Sequence, residues 1–591
     1  MDRIASCFVV CCFMVSFQLI AQGQDMIELP GVGNRSVEPA YRMNESPAII
    51  DTIMPSQAIT YPLMAIQMPT KLNVSTITPI TQNQEDLNDL YHTYVKLGLG
   101  SKLMPLGEVY FDSKRSRKIL YGAHLKHLSS FGEIKGFAPA QFDRTALGLY
   151  GAITELKYSI HSELHYKNQG FHYYGWPLPE GLEISSDTLR SSLAQRFQDL
   201  GGNVHFRFHP KDSAAFNYYA GFGYNRFSSR APADSLKDWR VKENLINVNA
   251  GFKYRSGKEI YSLDVRLSHD GYNYGKEGDT LVVSTMSPIP FIPSGIDTAI
   301  ERNNTVIGLK PMVSTYSKNN RFRAIIGADV VVDIASEARV RVYPLAELKY
   351  SMFKDIFIPY VGVRGGLNQL TFRSLSSRNE FVLTNVEMRN ESKDIDIYGG
   401  IKGTLSKQMN FNLGISYAMI KDKAFFVTDT SFSKRNKFEL IYDTLQLLTI
   451  EGGMSYQLKE KLKIDAIGKF YSYQLKNLDY AWNLTVWELS TRAAYTLSDK
   501  FLFNLDLHFE GGRKAQYFTD TLIQGGQTPI TLVQQTNLGL IADINLGLEY
   551  RYNKRISAFL QLNNLASQRY MRWYNYPVQG FQIMGGITAR F

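Results

Sequence analysis

From Leu90 to the end of the chain, apolar and polar residues alternate in short runs that break at polar or glycine-containing turns. In INVNAGFKY, Ile246, Val248, Ala250 and Phe252 occupy one set of alternate positions, and Asn247, Asn249, Gly251 and Lys253 the other. After the turn RSGKE (255–259) the pattern resumes, with Tyr261, Leu263, Val265 and Leu267 opposing Ser262, Asp264, Arg266 and Ser268. FLFNLDLHFE sets Phe501, Phe503, Leu505, Leu507 and Phe509 against Asn504, Asp506, His508 and Glu510. Successive side chains of a strand point to opposite faces, so each run has one apolar face and one wet face. The period is that of strands throughout.

The connections alternate in length. Short polar ones are SKRSRK (113–118), RSGKE (255–259), SKNN (317–320), KDK (421–423), LSDK (497–500) and YNKR (552–555); long ones run over 167–190, 275–301, 371–393 and 512–530. Short turns on one side and long loops on the other mark an up-and-down membrane barrel. A soluble sandwich has no reason to sort its loops by length. The pattern predicts an all-β fold: a large transmembrane antiparallel barrel over residues 90–591, with about 22 strands, give or take two. An even number brings both ends of the barrel to the periplasmic side.

The closing segment FQIMGGITARF places Phe581, Ile583, Ile587, Ala589 and Phe591 on one face. It is expected to pair with the first strand, near LYHTYVKLGLG, so that no open edge meets lipid. Phe591 then lies at the periplasmic interface, where an aromatic ring is favoured.

Composition adds compartment and partners. MDRIASCFVVCCFMVSFQLIAQG reads as a signal peptide over residues 1–23, and Cys7, Cys11 and Cys12 all fall inside it, leaving the mature chain without thiols. Residues 24–89 carry prolines at 30, 39, 47, 55, 62, 69 and 79, a spacing that forbids long helices and central strands and predicts an extended periplasmic leader or lumen filler. Aromatic residues make up 13% of the chain, enough for interfacial girdles around a barrel. The net charge of +10 favours anionic surfaces, and export excludes nucleic acid as the partner. The basic turn SKRSRK, with Lys114, Arg115, Arg117 and Lys118, reads as a solvated turn, or as a dock for an acidic periplasmic protein or lipid headgroups.

The stretch NNLASQRYMRWYNYPVQGFQIMGGITARF resembles the closing hairpin of TonB-dependent receptors, and LYHTYVKLGLGSKLMPLGEVYFDSKRSRKILYGAHLKHLSS resembles a group of Bacteroidota outer-membrane barrels. The resemblance implies an outer-membrane location, passage or binding of a substrate, and recognition of the terminal Phe591 by the barrel-assembly machinery. Such receptors carry a folded plug before the first strand. Here only 24–89 precedes it, without a glycine-rich plug pattern, and AIIDTIMP (48–55) is at most a degenerate TonB-binding box. A barrel of about 22 strands has a diameter of roughly 45 Å, so its lumen must be filled by the leader, by infolded loops or by another protein.

Candidate chemistry is sparse. HLKH (124–127) places His124 and Lys126 on one face and His127 on the other, which suits lumen lining rather than a metal site. No metal, cofactor or catalytic motif stands out. Two loops draw attention: FHYYGWPLPEG (171–181), with His172, Tyr173, Tyr174 and Trp176, and STMSPIPFIPSG (284–295), with Met286 and Phe291. They either present an apolar interface for a ligand or protein partner, or fold inward to cap the lumen. SSDTLRSSLAQRFQDLGG (185–202) fits a short helix with Leu189, Leu193 and Phe197 on one face, capped by Ser186 or Asp187, or a strand extension. Three functions follow: a receptor-like transport barrel, an accessory subunit of an outer-membrane complex in assembly or secretion, and a surface enzyme.

Overall fold

The structure is a computed structural model that describes residues 90–591 apart from 115, 117, 179–186, 211–215, 231–239, 276–279, 284–294, 318, 320, 336, 431–434, 460 and 522–529. The expected signal peptide and leader, the AIIDTIMP segment, and Met286 and Phe291 lie outside the described residues.

One antiparallel sheet of 22 strands closes on itself. Its first strand, Thr93–Gly100, pairs with its last, Gln582–Arg590, in the register Tyr94↔Arg590, Leu97↔Ile587 and Gly100↔Met584. Every other barrel strand pairs with its neighbours in sequence, so all ladders are satisfied internally and no edge remains. Among the described residues no helix is long and apolar enough to cross a membrane.

The alternation becomes a lipid-facing exterior. Val248 pairs with Leu267, Ala250 with Val265 and Phe252 with Leu263 on one face, and Phe501, Phe503 and Leu505 pair with Tyr550, Leu548 and Leu546. Of these side chains Val248, Phe252, Leu263, Leu267 and Phe501 are exposed and the rest half-buried; with the exposed Leu97, Ile326, Val340, Ile583 and Ile587 they form an apolar belt. Positions one residue away point inward: Asp199, Glu243, Asp270, Asn304, Asp329 and Asp333 are buried in the barrel. His124 and Lys126 share a face bearing on Tyr110, whereas His127 faces the other way and bonds Thr145 Oγ1 at 2.8 Å.

The connections sort as the sequence predicts. One rim has ten, of two to eight residues, and the other eleven, of three to 29. KDK is a correction: residues 421–423 lie inside the strand Met409–Thr428, where Asp422 takes φ +53° and the register slips between Ile420 and Lys423. The polar triplet is a bulge, held because Lys423 pairs with Glu391 at 3.2 Å. Residues 185–202 combine both readings, a helix α1 (Asp187–Leu193) running directly into the strand Ala194–Phe208. Leu193 belongs to the helix and Phe197 to the strand, and both are buried in the same cluster.

Candidate functional site

The lumen is crossed near the long-loop rim by the chain's own connection between the strands Ile358–Asn368 and Glu391–Ser406. This strap, residues 369–390, contains the two-turn helix α2 (Phe372–Arg378). Thr371 caps it, accepting from the Ser374 backbone N–H at 3.1 Å, while Ser374 Oγ accepts from the Thr371 N–H at 3.2 Å.

The wall grips this helix with charge. Glu243 accepts from the Phe372 and Arg373 backbone N–H groups at 2.5 and 2.8 Å, a carboxylate facing the positive end of a helix. Arg373 Nε donates to Asp199 at 2.9 Å, and Arg302 donates to the Leu370 carbonyl at 3.2 Å. At the far end Asn390 exchanges amide hydrogen bonds with Asn304 at 2.9 and 3.0 Å and donates to Asp333 at 2.7 Å. Tyr272 donates to the Thr384 carbonyl, and Leu383 N–H donates to the Phe438 carbonyl at 2.8 Å. Counting Arg144, Gln169 and Phe227 as well, residues on at least nine barrel strands touch the strap.

Apolar packing completes the cap. Phe372 and Leu375 from the strap bury against Phe197, Phe227 and Tyr272 of the wall. Phe381 stacks on Tyr576 of the connection 564–581, with ring centroids 3.7 Å apart. Arg513 pins that connection from beneath, donating to the Met571 and Arg572 carbonyls at 2.9 Å each.

The aromatic loop singled out in the sequence folds inward into this cap. Tyr173 is buried, edge-on to Phe171, and its N–H donates to the Leu193 carbonyl at 2.9 Å. Tyr174 donates from its hydroxyl to the Pro577 carbonyl at 3.0 Å, and burial raises its pKa well above the ordinary tyrosine value. Trp176 packs against the same cluster. His172 meets the Gln141 carbonyl through Nδ1 at 2.9 Å.

Beside the strap lies a cavity of about 410 Å³. Arg144 and Glu380 form one charged side, paired at 3.2 Å, with the Arg144 guanidinium also over the Phe142 ring at 5.2 Å. Asp543, Tyr570 and Arg572 form another, and Asn545, Asn563, Gln579 and Gln582 supply amides. Burial and a hydrogen bond to Asp543 push the Tyr570 hydroxyl up to about 12. His172 and Tyr174 line this cavity; Tyr173 and Trp176 do not. Opposite charges, amides and ring faces suit a polar, multidentate ligand. The strap residues Glu380 and Phe381, and the residues from 543 to 582, were invisible to sequence reading because strands distant in the chain bring them together.

A serine, histidine and carboxylate do align on the wall: Ser490 Oγ lies 2.9 Å from His508 Nδ1, and His508 Nε2 lies 3.6 Å from Glu510. Ser490 sits in mid-strand, paired to Ile467 on one side and His508 on the other, so the surrounding N–H groups are committed to ladders. An acyl-transfer site needs free donors where the oxyanion forms, and this row does not provide them. Glu510 is moreover held by Arg513 at 3.1 Å and Thr485 at 3.1 Å. Among the described residues no cluster of metal-ligating side chains occurs.

No protein-family model and no curated protein matches the sequence. Solved structures match along most of the chain. The pyoverdine outer-membrane receptor FpvA of Pseudomonas aeruginosa PAO1, bound to pyoverdine, aligns with a TM-score of 0.60 at 11% identity, covering 85% of this chain and 79% of that one. The FrpB iron transporter of Neisseria meningitidis gives 0.61 at 10% identity over 85% and 82%. The copper transporter OprC gives 0.56 at 12% identity over 84% and 80%. At these identities the likeness is one of architecture: the chain has the fold of outer-membrane receptor and transporter barrels.

Proposed function

We propose that this protein is a receptor-type transport barrel of the outer membrane, similar to TonB-dependent receptors, which binds a polar substrate beside the strap and passes it through the lumen. The observation that supports this reading best is the strap itself. A 22-stranded barrel encloses a wide channel, and here a segment of the same chain spans that channel, held by hydrogen bonds and ion pairs to the wall and by a buried apolar cluster. The cavity lies against the strap, so a ligand bound there touches Glu380 and Phe381 directly. Binding and gating thereby share residues.

The proposal includes an exported, Bacteroidota-type chain with a signal peptide at 1–23 and a proline-rich extended leader or lumen filler at 24–89, assembled by the barrel-assembly machinery through its terminal Phe591. No reaction is assigned to it. Packing of Tyr173, Tyr174 and Trp176 within the cap supports the inward-folding reading of the aromatic loop.

The test is solute flux into liposomes containing the full-length protein, compared with a variant in which 371–388 is replaced by a short glycine-serine linker, together with growth on candidate solutes in cells with and without TonB. Faster flux through the strapless barrel and a TonB-dependent growth defect are expected. Absence of flux in both forms, with no TonB phenotype, overturns the proposal.

A further inference from the structure

The two rims of the barrel differ in charge. The ten short connections contain 16 Lys and Arg against five Asp and Glu, whereas the eleven long ones contain 18 against 15. The short set achieves this in far fewer residues, so the excess is dense. Twelve of its basic residues are described, on nine of the ten turns, and all twelve are exposed. Lys118, Lys157, Lys354, Lys407, Lys500 and Arg555 represent six different turns.

A second observation fixes the depth of this ring. Exposed aromatic side chains gather within a few residues of the same turns: Phe111 and Tyr121 flank 113–118, Tyr254 and Tyr261 flank 257–258, Tyr350 immediately precedes 351–357 and Phe353 lies within it. Aromatic girdles mark the boundary between hydrocarbon and headgroup. The basic turns stand just beyond it, at headgroup level.

We propose that the short-turn rim is a binding surface for anionic phospholipid headgroups of the leaflet it meets. The distribution favours lipid over an acidic protein, because a protein partner contacts one sector and here the basic residues recur around the whole circumference. Each Lys or Arg near an anionic surface strengthens the attraction on the order of fivefold. The inference rests on the membrane-barrel reading above but not on transport.

The experiment counts lipid rather than flux. Full-length protein is placed in nanodiscs of equimolar phosphatidylglycerol and phosphatidylcholine, released into mild detergent, and its retained lipids are counted by native mass spectrometry. Phosphatidylglycerol should be retained severalfold over phosphatidylcholine. The preference should fall towards unity in the sextuple variant K157Q, K354Q, K407Q, K459Q, K500Q and R555Q, and persist in the long-loop control K135Q, R230Q and K476Q. It should also collapse in the unaltered protein at about 1 M salt, where the Debye length is ~3 Å, so the question is answered even if the sextuple variant does not fold. Equal retention of the two lipids overturns the proposal. So does a preference that survives the turn substitutions, or turn substitutions that abolish capture of an acidic periplasmic protein while the lipid ratio stays unchanged.

Discussion

Gly98 stands opposite Gly586 across the seam that closes the barrel, and the Phe559 ring lies over both. A Cβ at Gly586 would collide with the Leu97 carbonyl oxygen and come within 2.7 Å of Phe559; one at Gly98 would come within 2.8 Å of the same ring. Backbone and ring can approach only because neither position carries a side chain.

Gly586→Val should therefore hinder closure. Overpacking of this kind costs about 1–3 kcal/mol, and more when the obstacle is backbone. The barrel should lose its heat-modifiable mobility on gels or unfold at lower denaturant, while Gly585→Ala, whose nearest neighbours are 3.8 Å away, should behave as wild type.

Glu243→Gln should loosen the strap without opening the barrel. The side chain accepts from two helix N–H groups, and a hydrogen bond of this kind contributes about 0.5–1.5 kcal/mol. Hydrogen exchange should accelerate across 370–390 and remain slow in the strands; equal protection in both proteins would show that apolar packing alone holds α2.

Phe381→Ala removes the stack on Tyr576 and leaves a hole in the cap. Truncating a buried Phe costs about 3–5 kcal/mol, expressed here as local opening of the loops. Protease cleavage within the connections 369–390 and 564–581 should rise severalfold, with no change in barrel mobility.

Arg572→Ala should weaken substrate binding at least tenfold by removing a charge from the cavity wall, with the strap's exchange rates unchanged. Isothermal titration with the transported solute, once identified by the flux screen, provides the measurement.

The cap should also respond to alkali. Tyr570 ionises near 10 when unfolded and at about 12 when folded, so the protonated hydroxyl favours the folded loop. Its contribution is complete below pH 10 and is lost as pH rises from there through 12. Tyr174 and Tyr576 shift in the same direction through burial. Phenolate absorbance at these positions should appear only above pH 10, together with loss of loop protection.

The barrel was legible in the chain because lipid-facing and lumen-facing residues must alternate, and alternation is a local property. Val248 and Asn249 announce their opposite faces without reference to any partner. Strand number, closure by the terminal segment and the segregation of loop lengths follow from the same rule, since each strand must return across one bilayer. KDK misled because a polar triplet looks alike in a turn and in a bulge, and only the pairing of Lys423 with Glu391 distinguishes them. The strap and its cavity were not legible. Phe381 and Tyr576 are separated by nearly two hundred positions, and nothing in NEFVLTN states that it will cross a lumen. Such contacts are chosen by closure of the sheet, which decides which inward residues confront one another; a strand's own sequence specifies only that they point inward.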